Sequence, residues 1–198
     1  MVIPVRKGVI PIFLMIVAAV LVSGCIFGSG QLNQVPPHII AATEALSDLD
    51  LIEGRVNTFV LDDEIWMINQ ILSEIEEIPE DEPDLAAQYQ AYRTWNDAFG
   101  LMSQVFKEDY MIYQSHLRQA DRLYEDFNYI GWRDEIMKAK NQVSRMIEKS
   151  IEAAYMMDTI QRDALPKQLH PALEQSQREM MEIAHQGTVL ESRLHQKL

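Results

Sequence analysis

Only one cysteine, Cys25, occurs in the 198 residues of the chain, so an intrachain disulfide, a C-x-x-C redox pair and a multi-cysteine zinc site are all excluded. Cations are also scarce: 17 Lys and Arg stand against 30 Asp and Glu, a formal net charge of −13. Phosphate backbones and anionic headgroups are held by clustered Lys and Arg, so this balance argues against nucleic acid and anionic lipid headgroups as partners. Eight glycines and eight prolines are present, half of them within the first 37 residues, which leaves the remainder with few helix breakers. No stretch alternates apolar and polar residues as a half-buried strand does. A G-x-S-x-G elbow and a phosphate-cradling glycine loop are missing too. With no catalytic constellation in view, the chain is expected not to be an enzyme and to carry no cofactor.

What is present begins at the amino terminus. Arg6 and Lys7 precede an apolar run from Val9, which closes on the small residues Ser23 and Gly24 before Cys25. That order is a secretory signal rather than a folded core. The tetrapeptide Val22-Ser23-Gly24-Cys25 resembles the cleavage box of prokaryotic membrane lipoproteins, an aliphatic residue and two small residues before an invariant cysteine. The resemblance covers only the first thirty or so residues. It implies that residues 1–24 are a signal peptide, that Cys25 is lipidated on its sulfur and becomes the first residue, and that the protein is held at the cell membrane. Two or three acyl chains anchor stably where one does not. Two other readings stand beside it. The apolar stretch is about nineteen residues, long enough for an uncleaved transmembrane anchor, and a buried free cysteine is the third. In both membrane readings Arg6 and Lys7 stay inside, so everything after residue 25 faces outside the cytoplasm. Loss of residues 1–24 removes two cations and leaves a net charge of −15.

Residues 25–37 hold two glycines, a serine and several amides without apolar periodicity, and are expected as the lipidated cysteine and a flexible tether. Pro36 and Pro37 suit a helix entry, where the first amides have no intrahelical partner. Residues 38–198 are one domain's worth of chain, enough to bury a core without disulfides.

Apolar residues in that domain recur alternately four and three apart. From Leu85 the step runs through Tyr89, Tyr92, Asn96, Phe99, Ser103, Phe106, Tyr110, Tyr113, Leu117, Ala120 and Tyr124 to Phe127, with only Asn96 and Ser103 interrupting. The same rule holds from Trp132 to Ala164 and from Leu169 to Leu194. A sustained seven-residue repeat keeps one seam on a partner and implies left-handed, coiled-coil-like packing. The first helical region, about 38 to 78, changes phase within "LIEGRVNTFVLDD", where a kink or short break is expected. Val60 falls on its first seam. Short connections at "PEDEPD", at Gly131 and at "LPKQ" predict an elongated antiparallel four-helix bundle. Gly131 is the expected point of reversal into the third helix, and Asp84 or Glu82 the expected cap of the second. That second helix is expected to outrun its partners.

Asp109 and His116, beside the seam of the second helix, with Tyr110 and Tyr113 on it, form a candidate ligand pocket: a few polar groups within an aromatic wall. Glu182 and His185 make the single E-x-x-H of the chain, a weak metal candidate, because di-iron bundles use two such pairs and two further glutamates. Met156-Met157 and Met180-Met181 suit soft metals but equally fill a core. Seven acidic residues between Glu74 and Asp84 lack calcium-loop spacing and are expected as a solvated turn. The expected function is therefore a membrane-tethered extracytoplasmic module that binds a partner protein, an envelope component or a small ligand. The alternatives are an extracytoplasmic metal-binding bundle using Asp109, His116, Glu182 and methionines, and a sensor module acting through another protein. Self-association through the exposed remainder of the long seam fits any of them.

Overall fold

The computed structural model describes residues 27–75, 78 and 81–198. The signal segment 1–24 and Cys25 lie outside the described residues. The described chain is all-helical, with no strand and a single antiparallel bridge between Asp50 and Arg55. In chain order the helices are α1 (Phe27–Leu32), α2 (Val35–Ser47), α3 (Phe59–Ser73), α4 (Pro83–Gln104), α5 (Tyr110–Glu125), α6 (Tyr129–Asp158) and α7 (His170–His195). A π-helical turn, Val105–Asp109, joins α4 to α5 without interruption. The resulting rod is about 65 Å long at 1.5 Å per residue. Five helices thus pack on one another: α2, α3, the α4–α5 rod, α6 and α7.

Side-chain pairs fix the directions. Asp109 meets Gln142 and Lys149 while His116 meets Glu135, so α6 runs back along the rod. Asp158 meets Gln177 and Ser144 meets Glu191, so α7 reverses again. Asp62 with Ser103 and Asn69 with Asn96 set α3 antiparallel to α4. The heptad seams predict the core well. Every seam position of α7 is buried, and so is the α6 seam from Ile136 to Ile160. The two polar interruptions of the long seam are where α3 docks, through hydrogen bonds from Asn96 to Asn69 and from Ser103 to Asp62. Ser176 likewise ties three helices: its hydroxyl lies 2.8 Å from Thr43 Oγ1 and accepts from Trp95 Nε1 at 3.2 Å.

Several expectations need correction. Of the kink or short break expected in the first helical region the structure has the break, and it is a full reversal at 48–58 between two helices, α2 and α3. Asp50 Oδ1 accepts from the amides of Ile52 and Glu53, each at 2.7 Å, and Gly54 takes φ +72°. A carboxylate-capped turn followed by a left-handed glycine turns the chain right round. Val60, on the expected first seam, is exposed, because the reversal rotates α3 to its other face. The stretch expected as a tether is helical at Phe27–Leu32 and again from Val35, with Leu32 and Val35 buried. Glu82 occupies the position before α4 without a side-chain cap.

Gly131 is not the point of reversal. The chain turns at Asp126–Asn128, where Phe127 holds φ 58°. Phe127 N–H donates to Tyr124 O at 3.1 Å and Asn128 N–H to Leu123 O at 2.8 Å, the bond pair that ends helices at a left-handed residue, usually glycine. A non-glycine residue there costs about 1 kcal/mol or more. Gly131 sits instead in the first turn of α6, where its amide donates to Asn128 Oδ1 at 3.0 Å. A Cβ on Gly131 would lie 2.9 Å from Asn128 Nδ2, so the glycine makes room for the cap.

Candidate functional site

The four residues of the candidate pocket sit on the π turn and the first half of α5, and their side chains go to different neighbours. Asp109 is buried. Its Oδ1 accepts from Gln142 Nε2 at 2.6 Å and its Oδ2 from Lys149 Nζ at 2.7 Å, both on α6. Tyr110 and Tyr113 are brought together with ring centroids 5.7 Å apart. The Tyr110 hydroxyl accepts from Gln114 at 3.0 Å, and it lies 3.5 Å from where a Cβ on Gly54 would stand. Burial, with the neighbouring Tyr110, pushes the Tyr113 hydroxyl up despite the opposing Arg193 charge. His116 Nδ1 lies 2.7 Å from Glu135 Oε2 on α6. Hydrogen bonds from Lys138 and His116 hold Glu135 below its usual carboxylate range, and Asp134 and Glu135 hold the exposed Lys138 ammonium above its own.

A second polar knot lies between α3 and the rod. Burial alone would raise Asp62, but Ser103, Thr58 and Lys107 all donate to its carboxylate, and the net effect is a lowered pKa. Both knots join helices, and the groups in them have their partners inside the protein.

Glu182 and His185 are both exposed on α7, on the side away from buried Ile183 and Gly187. Met157 and Met180 are buried in the core, and Met181 is exposed. Among the described residues no three His, Cys, Asp or Glu side chains stand where they could hold a metal ion together. A cleft of about 620 Å³ opens between the start of α4 and the loop after α6, with Asp81, Glu82, Asp84 and Asp163 on its walls. Asp81, Glu82 and Asp84, at the end of the acidic stretch, thus line an open hollow. A smaller groove of about 300 Å³ runs between α6 and α7 beside Ile151, Tyr155 and Met181.

The exposed remainder of the long seam is the tip of the α5–α6 hairpin. No side chain from Asp121 to Glu135 is buried. Tyr124, Phe127, Tyr129 and Ile130 are 55, 78, 53 and 87 % exposed. Tyr124 packs its ring against Tyr129 and Trp132 at 5.6 and 5.9 Å, which stiffens the cluster without covering it. Periodicity placed Tyr124 and Phe127 on the seam, and they are, but α7 and α3 end before reaching them. The signal available in the sequence was helix length: a rod longer than its partners must end in an uncovered tip.

No helix among the described residues is long and apolar enough to cross a membrane. Comparison with family models, with curated proteins and with solved structures gave no match.

Proposed function

We propose that the protein is a lipid-anchored, non-enzymatic interaction module on the outer face of the cell membrane, tethered through Cys25 and offering the α5–α6 tip to a protein partner. The lipobox supports the anchor. The observation that carries the module is the tip itself: four large apolar side chains uncovered at the end of a projecting hairpin, where a soluble monomer gains nothing from exposing them. Exposed aromatics of this kind make strong anchors when a partner covers them. The reading takes the rod, α6, α7 and the split α2–α3 arm as an elongated bundle with coiled-coil-like seams. It also explains why buried Asp109 and half-buried Asp62 are engaged between helices, since a scaffold needs registered helices rather than reactive groups.

α1 packs against α2, α3 and α4. The chain therefore enters on the α4 half of the rod, and the tip lies about 30 Å or more beyond the end of α4. Photo-crosslinking from Met137, an exposed residue behind the tip, in membranes of the native host tests the reading. Adducts with a protein, lost when Ile130 becomes Asp, are expected. Absence of any protein adduct alongside an unlipidated Cys25 would sink it.

A further inference from the structure

We propose that the partner of this tip is a second copy of the same chain, joined end to end with the acidic halves pointing apart. The inference rests on the interaction-module reading and names the occupant of its site. Charge argues for it first. Between residues 27 and 109 three Lys or Arg face seventeen Asp or Glu, whereas between 118 and 140 the count is five against five. Two copies approaching through their α2–α4 halves repel each other. The tip is neutral and carries both signs within a turn or two of Phe127: Arg122 and Arg133 beside Glu125, Asp126 and Asp134. A two-fold contact sets the cations of one copy near the anions of the other. It also keeps the acidic halves about 60 Å apart, far beyond the screening length of about 8 Å at physiological salt.

The backbone supplies a second argument. Phe127 occupies the left-handed position of the helix end, at φ 58°, which glycine fills with less strain. Phenylalanine there weakens the hairpin in isolation, and its ring is 78 % exposed, so the residue serves something outside the fold. The area sets the strength. An aromatic side chain offers roughly 150–250 Å², so the exposed parts of Phe127, Ile130, Tyr124 and Tyr129 amount to about 500 Å² per copy. Two copies bury about 1,000 Å² in total, at the lower edge of specific interfaces, which makes the dimer weak and reversible.

The test is sedimentation of the full chain in non-ionic micelles across a range from about 1 to 200 µM, the span over which a weak dimer of this kind titrates. Scattering measures the maximum dimension alongside. The expected result is a dimer that grows with concentration and is nearly twice as long as the monomer. Ile130→Asp should weaken it at least tenfold. Phe127→Gly should also weaken it while melting about 2 °C higher, because glycine relieves the strained turn. That opposite movement separates a docking role from a structural one. A benzophenone side chain in place of Tyr129 should give chain-to-chain adducts.

A wild-type chain that stays monomeric, a dimer indifferent to both substitutions, a dimer no longer than the monomer, or adducts with detergent alone would each overturn the proposal. A monomeric wild type leaves the module reading standing if native membranes still give adducts with another protein. An unlipidated Cys25 counts against the anchor without touching the dimer.

Discussion

Adding one methyl group at each of two helix glycines should move stability in opposite directions. Gly187, on α7, faces α6 so closely that a Cβ there would lie 2.6 Å from Ile147 Cγ1 and 3.5 Å from its Cδ1. Gly100, on α4, has nothing within 4 Å of the same position, and neither glycine has a positive φ. Alanine in a helix interior is better than glycine by about 0.8–1 kcal/mol. Gly100→Ala should therefore stabilise by about 0.5–1 kcal/mol. At Gly187 the same gain is opposed by overpacking, typically about 1–3 kcal/mol, and the stiff, branched Ile147 has little freedom to swing away. The net effect is a loss of up to about 2 kcal/mol. The difference between the two variants, about 1–3 kcal/mol, isolates the packing of α6 on α7 because the helix preference is common to both. At about 2–4 °C per kcal/mol for a domain of this size, urea titration and thermal melts followed by circular dichroism resolve it. Ile147→Ala should remove the clash, so the double variant should be more stable than the sum of the single changes allows. If Gly187→Ala stabilised as much as Gly100→Ala, the close approach of α6 and α7 would be wrong.

Other perturbations probe the polar knots and the turn. Asp109→Ala strands Lys149, whose side chain is 27 % exposed. It should cost about 2–3 kcal/mol in urea unfolding, less than a fully buried pair, while Asp109→Leu with Lys149→Met should recover most of the loss. Asp62 and Glu135 both have lowered folded pKa values, so the stability they contribute is present above their ordinary values of 3.8 and 4.5 and is lost as pH falls through the folded ones. Asp62→Asn with Glu135→Gln should accordingly flatten the fall in stability between about pH 5 and pH 2. An unchanged slope would place the acid sensitivity elsewhere. Asn128→Ala removes the cap on Gly131 and should cost about 1 kcal/mol, read by the same unfolding assay.

Much of the fold is legible in the sequence because 3.5-residue periodicity is a global signal. The seams of the rod, α6 and α7 could be written residue by residue, and even the interruptions at Asn96, Ser103 and Ser176 mark contacts between helices. The turns are local and were harder. The weak helix formers around Gly54 predicted a break, yet whether a chain kinks or reverses depends on side-chain acceptors such as Asp50 Oδ1. At the α5–α6 turn the glycine signal pointed to Gly131, four residues past the left-handed Phe127, since sequence preference gives no warning when a disfavoured residue occupies that position. Among candidate site residues, pattern placed Asp109, Tyr110, Tyr113 and His116 on one stretch of helix. That Asp109 and His116 reach α6 while Tyr110 and Tyr113 pack on each other follows from how the helices pack, which periodicity does not encode. The exposed tip was implied only by the excess length of the second helix.

Intact-mass analysis of the protein from native membranes tests the proposed tether at Cys25, with the helices outside the cytoplasm. A chain beginning at Cys25 and carrying a lipid on its sulfur is expected. A chain that retains residues 1–24 with an unmodified Cys25 would contradict it.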